Sequence, residues 1–426
     1  MAELLKRNEW LALFERILYR GASSATSLLI AYLFNPSELG LYATGFLFLN
    51  MVLSVVEAPM RQNLASALQS RRVPRSLLKT IIIWGASGSA ALAFLFTAWS
   101  ISANQNIDSL YKLFPLVLVP SIVALGIKFN ATLELHLKWS RIFLSQLIAL
   151  TISLLISVPL LPIFKAGAAN LQTLIGETVL VICLWISSKN LRVANSDQRI
   201  KLSMQNSVAN FLGWCQGQAE RIPLAFLGLT HLLGLYSLSF SIARTLSDTI
   251  SAGLNNLLRA SFSRSASVDE QRISLNRTLA LSLKVSFAQQ AFVILIGPLA
   301  IFTFLGESWR DASYFVVLLS LGIITSGQSW TLSNYLVLSG HARKLIKWQI
   351  FAISLSLICG ILFVISPITA TITLLCRDAL IYWSRLRLVE QEGIVVSISP
   401  KIAMSAASVL AAFGALYVWI LRSHFV

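Results

Sequence analysis

Ile142–Ile163 reads IFLSQLIALTISLLISVPLLPI, an unbroken stretch with no Asp, Glu, Lys, Arg or His. A helix over these residues rises roughly 33 Å, enough to cross a ~30 Å hydrocarbon core. Similar stretches recur along the chain. The expected spans are 12–34, 38–58, 78–100, 109–129, 142–163, 168–188, 204–228, 232–257, 279–304, 311–338, 348–366, 368–388 and 402–421. The first, seventh, eighth and twelfth are the most polar. The fold class this predicts is an all-α polytopic membrane protein.

Composition agrees. The 426 residues are 56% hydrophobic and only 12% charged, and mean hydropathy is +0.73. Soluble domains carry roughly 25% charged residues. No long polar stretch leaves room for a separate soluble domain. The net charge of +16 would suggest a nucleic-acid partner in a soluble protein. Here basic loops facing the cytoplasm explain it, and no nucleic acid is expected. Cys183, Cys215, Cys359 and Cys376 all fall in apolar segments, with no metal or disulfide spacing. The opening MAELLKRNEW is followed by Glu15, Arg16 and Arg20, which break the apolar core of a signal peptide. The first span is therefore expected to be retained.

Loop charges orient the chain. Segments assigned to the cytoplasm hold 24 of the 34 Lys and Arg residues, among them Arg71, Arg72, Lys189, Arg272, Arg343 and Arg385. The opposite side has Lys112, Lys165, Arg310 and Arg422. That split predicts a cytoplasmic N-terminus and, with thirteen spans, an outer C-terminus. The most polar segment, 189–203, is expected to divide a six-helix lobe, 1–188, from a second, 204–390. Residues 391–426 would add one helix.

Leu39-Gly40-Leu41-Tyr42 opens the second span and Leu233-Gly234-Leu235-Tyr236 the eighth, 194 residues later. Each copy enters from the outer side and leads to a basic cytoplasmic loop. This predicts a duplication, its halves related by an axis along the membrane normal. The same residues also suit plain packing, with Gly at a close helix approach and Tyr at the membrane interface.

A charge at the bilayer centre costs about 2.5–3.5 kcal/mol even on insertion scales. Three helices nevertheless carry polar stripes at helical spacing. They are Arg16, Arg20, Ser23 and Ser27; Asn206, Asn210, Gly213, Gly217 and Glu220 or Arg221; and Arg244, Asp248, Ser251 and Asn255. These faces are expected to line an aqueous cavity. Arg20 lies roughly 13 Å from the cytoplasmic surface, too deep for easy snorkelling. Arg16 and Lys284 are closer to an edge. Arg244 and Asp248 are four apart and could neutralise each other. Arg377 and Asp378 could be packing charges. Glu177 stands alone mid-span and is a candidate for proton coupling, because desolvation raises a carboxyl pKa. Arg16, Arg20, Arg221 and Arg244 could together surround a diphosphate, since Arg binds phosphate bidentately and stays charged when buried.

The polar first span, N-P-S-E-L-G-L-Y-A at 35–43, L-G-L-Y-S at 233–237 and F-L-G-E-S-W-R-D-A at 304–312 together resemble one family. It is the polysaccharide and oligosaccharide flippases of the multidrug/oligosaccharidyl-lipid/polysaccharide exporter superfamily, over about residues 1–390. The resemblance implies two six-helix lobes in a V around a central cationic cavity, plus one extra C-terminal helix here. It implies flipping of an undecaprenyl-diphosphate-linked glycan to the outer leaflet of a bacterial inner membrane by alternating access. It also implies glycosyltransferase and polymerase partners, and no cofactor. Related precursor flippases use Arg in their first and eighth spans, which here would be Arg16 or Arg20, and Arg244. Thirteen spans depart from the twelve or fourteen usual there, and the lack of a fourteenth argues against the peptidoglycan-precursor branch.

Two other functions compete. A multidrug exporter of the same superfamily would carry intramembrane carboxylates in its first half, whereas the first span here is mainly cationic. A polymerase or ligase of lipid-linked glycans would need an acid or base in a large outer loop. The outer loops are short, and only His231, Glu307, Asp311 and a few neighbours could serve. His231 reads better as an interfacial residue. The expectation is a non-enzyme.

Overall fold

The computed structural model describes residues 26–69, 72–74, 77–136, 138–191, 194–196, 204–244, 268–339, 341–394, 396 and 400–425. The chain forms two compact units, Met1–Leu233 and Gly234–Val426.

The first unit contains α1 (26–33), α2 (Pro36–Gln69), α3 (Leu77–Ser102), α4 (Ile107–Leu113), α5 (Val119–Leu135), α6 (Trp139–Phe164), α7 (Ala166–Ser188), α8 (Met204–Gln218) and α9 (Arg221–Phe226). A 3-10 turn, Phe114–Leu118, joins α4 to α5. Helix α7 packs on α5 and α6, and α2 packs on α5 and α8. The unit therefore continues past the polar 189–203 segment, because α8 has its partner in α2. The second unit holds α10 (230–244, mostly within it), α11 (Val268–Phe304), α12 (Ala312–Leu338), α13 (Ala342–Ile365), α14 (Pro367–Glu390) and α15 (Pro400–Phe425). Here α12 packs on α11 and α14, and α13 packs on α14.

Eight helical segments among the described residues are long and apolar enough to cross a membrane. They coincide with the second to sixth and ninth to eleventh expected spans. Their outward faces are apolar: Phe94, Leu155 and Ile365 are each at least 70% exposed, which suits lipid rather than water. The seventh, eighth and twelfth expected spans are helical in their described parts but too polar or too short for that measure. Most of the first lies outside the described residues.

The seventh is not one helix. It breaks at Ala219 and Glu220, between α8 and α9. Pro223 has no N–H and its ring crowds the carbonyl four residues back, at Ala219. That carbonyl instead accepts from the Ile222 N–H at 3.3 Å. The short α9 is held by Trp99, fully buried, whose indole N–H donates to the Ala225 carbonyl at 2.7 Å.

The ends of each unit sort as alternating spans require. At one end of the first unit, Glu38 accepts from Lys112 at 3.0 Å and from the Ala166 N–H at 3.3 Å, with Lys165 Nζ at 3.9 Å. All four residues belong to segments expected outside. At the other end, β1 (Arg72–Pro74) and β2 (Ala194–Ser196) pair in parallel, with Arg72 opposite Ala194. This joins two loops expected in the cytoplasm, and no alternating pattern in so short a stretch announces it. In the second unit, α15 packs on α11 and α12 through Val418, Leu421, Phe302 and Val317. Its Arg422 lies 3.9 Å from Asp311, at the turn expected outside.

Glu38 thus ties three connections together, and this fixes the role of the P-S-E-L-G segment. Glu38→Ala is expected to destabilise the protein by about 1–2 kcal/mol, as for a partly buried charged hydrogen-bond group. Glu38→Gln, which keeps an acceptor for Ala166, should lose less. Thermal unfolding in detergent measures both, and equal losses would show that the backbone contact does not matter.

The two repeat segments share local features. Tyr42 and Tyr236 both lie in the interior, 5% and 1% exposed. Each contacts a Phe one turn on: Tyr42–Phe46 centroids are 4.6 Å apart and Tyr236–Phe240 6.1 Å. The two Phe residues share the offset of 194. Another turn on, that offset pairs Asn50 with Arg244.

Candidate functional site

Two polar constructions stand out, one within each unit.

The first is a cationic cluster in the second unit. Asp378 on α14 accepts from Arg244 of α10 at 2.8 Å on one carboxylate oxygen. On the other it accepts from Nε and Nη2 of Arg377, at 3.1 and 2.7 Å. Arg377 also donates to Ser356 Oγ of α13. Arg377, Asp378 and Arg385 are 8%, 9% and 6% exposed. Arg385 follows Asp378 by seven residues, about two turns on the same face. No ion pair reaches it among the described residues. Space for the Arg244–Asp378 pair comes from Gly322 of α12: a Cβ there would lie 2.7 Å from Arg244 Nη2 and 2.9 Å from Asp378 Oδ2. The Arg244 Nε is buried with no hydrogen-bond partner among the described residues, and its guanidinium carbon lies 5.9 Å from the Phe240 ring centroid.

Two arginines therefore share one carboxylate, with a third buried arginine about two turns further along α14, inside a bundle built for a membrane. Buried charge on this scale calls for a counter-ion. An anion of two or more charges would suit it, and guanidinium groups hold phosphate-type oxygens in a fixed fork.

The second construction is a cavity of about 210 Å³ within the first unit. Tyr42, Phe46 and Asn50 of α2 line it, with Gln146 of α6 and Gln172 and Glu177 of α7. The α2 residues follow a spacing of four, one helical face. Thr26 of α1 also reaches it and is hydrogen-bonded to Gln172, with Gln172 Nε2 3.2 Å from Thr26 Oγ1.

The residues selected from the sequence fall out as follows. Arg16, Arg20, Asp248 and Asn255 lie outside the described residues, as does the side chain of Asn206. Asn210 is half-buried on α8. Glu220, 1% exposed, and Arg221, half-buried, sit at the break between α8 and α9. Gly213 and Gly217 of the same stripe have no described atom within 4 Å of a Cβ position. Arg244 meets Asp378 across 134 residues, a partner that helical spacing could not reveal. Lys284 is exposed, as snorkelling requires. His231 is exposed as well. Glu307 pairs with its own turn, through Arg310 at 3.1 Å. Arg385, counted above with the cytoplasmic charges, is buried in the last turns of α14.

The fold is shared with solved membrane transporters. A lipid II flippase, MurJ, in an inward closed conformation superposes with a TM-score of 0.62 at 14% identity, covering 98% of each chain. An inward-facing multidrug resistance MATE family transporter of the MOP superfamily gives 0.60 at 13% identity, over 96% of this chain and 95% of that one. Its outward-facing counterpart gives 0.55 at 13%, over 99% and 96%. The model of a family described as polysaccharide biosynthesis protein matches residues 70–314, and the chain belongs to that family. No curated protein matches the chain. The resemblance to polysaccharide flippases read from the sequence agrees with both the family and the fold.

Proposed function

We propose that this protein flips a lipid-diphosphate-linked oligosaccharide from the cytoplasmic to the outer leaflet of a bacterial inner membrane, for cell-surface polysaccharide synthesis. The observation that carries the reading is the pair of arginines, Arg244 and Arg377, on the single carboxylate of Asp378, with the buried Arg385 about two turns further along α14, in a chain of this family and fold. Such a cluster matches a diphosphate headgroup in charge and geometry. Arg16, Arg20 and Arg221 are proposed to hold the same headgroup at other stages of an alternating-access cycle. The lipid tail stays in the bilayer while the glycan crosses through water. Flipping forms no covalent bond, so the reaction asks for no acid, base or nucleophile. The excess of Lys and Arg in alternate loops supports a cytoplasmic N-terminus and an outer C-terminus. Glycosyltransferases that build the glycan and a polymerase that uses it are the proposed partners.

The test is export of surface glycan in cells carrying Arg244→Ala or Arg20→Ala. Both should lower export several-fold at normal protein level. In Arg244→Ala, Arg377 still neutralises Asp378, so folding is preserved. Arg244→Lys should do less harm if charge alone matters, and as much harm if the bidentate fork matters. Normal export in both alanine variants would sink the assignment.

A further inference from the structure

We infer that the cavity of the first unit is a sugar subsite that takes one pyranose ring of the transported glycan. The substrate it names rests on the flippase reading above. The subsite itself rests on the cavity.

Size is the first argument. About 210 Å³ is several times the ~30 Å³ that one water occupies in the liquid. It is also below the roughly 300–1,000 Å³ of pockets for drug-sized molecules. A single sugar ring falls between these limits. A bare cation would leave most of the space unfilled.

Lining chemistry is the second. Asn50, Gln146 and Gln172 supply side-chain amides, which donate and accept as sugar hydroxyls do. Tyr42 and Phe46 supply aromatic surface, suited to the C–H face of a pyranose. Glu177 adds one strong acceptor. A dedicated ion site would be denser in charge: hard cations take six or more oxygen ligands at about 2.0–2.6 Å. Among the described residues no group of three acidic, His or Cys side chains is placed to hold a metal.

The repeat supplies the third. At one helical position, two turns after the shared Tyr, the first unit carries Asn50 and the second Arg244. Asn50 lines the amide-rich cavity. Arg244 belongs to the cationic cluster. The two matching helices carry two chemistries at this position, and a lipid-diphosphate glycan has both.

Thermal unfolding of the purified full-length protein in a sugar-free detergent tests this. The probes are methyl hexosides and methyl N-acetylhexosaminides at tens of millimolar, against an equimolar linear polyol. At least one glycoside should raise the melting temperature above the polyol control. Gln172→Leu and Asn50→Ala should each abolish that increment, and Arg244→Ala should keep it. Asn50 is exposed at the cavity edge, so its replacement leaves the fold intact. The subsite is overturned if no glycoside exceeds the polyol, if both variants retain the increment, or if sodium or a lipophilic cation produces it instead. A second measurement separates the two readings. Undecaprenyl diphosphate carrying one N-acetylhexosamine should bind about tenfold more tightly than the bare lipid. Asn50→Ala should collapse that ratio toward one, whereas Arg244→Ala should weaken both lipids and leave the ratio. Failure of both lipids to bind, with glycosides still stabilising, overturns the headgroup reading alone. Equal binding of both lipids, with no effect of glycosides, overturns the subsite alone.

Discussion

Asp378→Ala is expected to lower the unfolding free energy by about 3–5 kcal/mol, the cost of leaving buried charge without its partner. Arg244 and Arg377 both depend on this carboxylate, at 2.8 and 2.7 Å, with side chains 12% and 9% exposed. Purified protein should show a large fall in melting temperature. Asp378→Asn keeps an acceptor but not the charge, and should fall between. The informative variant removes the whole group: Arg244→Met, Arg377→Met and Asp378→Leu together. Buried ionic groups replaced as a set by apolar residues often cost little, so stability should recover. Glycan export should not. Recovery of export along with stability would mean that the arginines serve packing and that the anion site is elsewhere. An unchanged melting temperature in Asp378→Ala would remove Asp378 as the counter-ion.

The helices were legible because a bilayer imposes one length and one polarity on every span. Ile142–Ile163 needs no other information, and α6 runs from Trp139 to Phe164 around it. The same logic located the helices that depart from the rule, since polar stripes on apolar helices stand out by cost. Tertiary partners were less legible. Arg244 has an acidic neighbour four residues on, which local spacing favours and which lies outside the described residues; its contact with Asp378 of α14 is one that spacing does not announce. The cavity in the first unit escaped detection for a different reason. Its amides are spread singly over α2, α6 and α7, and each alone resembles an ordinary intramembrane hydrogen-bonding residue. Only Glu177 was expensive enough to be noticed. The break after α8 had a local sign, Pro223, but proline is tolerated within membrane helices. Helix α6 shows this, continuing through Pro159 and Pro162.

Two glycines separate packing from passage. At Gly40 a Cβ would lie 1.7 Å from the Thr230 carbonyl oxygen and 2.6 Å from its carbon. Both partners are backbone, so no side chain can yield. Gly40→Ala must force α2 away from the start of α10. Overpacking of this kind costs typically 1–3 kcal/mol and more where backbone must move, and Gly40→Val should prevent folding. Gly213 on α8 is the opposite case, with no described atom within 4 Å of its Cβ position. Gly213→Ala removes backbone entropy from the unfolded chain and should stabilise the helix by about 0.5–1 kcal/mol. If the α8 stripe lines the path of the glycan, that same methyl should slow export while the melting temperature rises. Bulkier Gly213→Leu should block export with the protein still folded. A fall in stability at Gly213, or unimpaired export in Gly213→Leu, would show that this face of α8 is not on the path. Gly40 variants cannot be used for that purpose, because their loss of export would follow from loss of the fold.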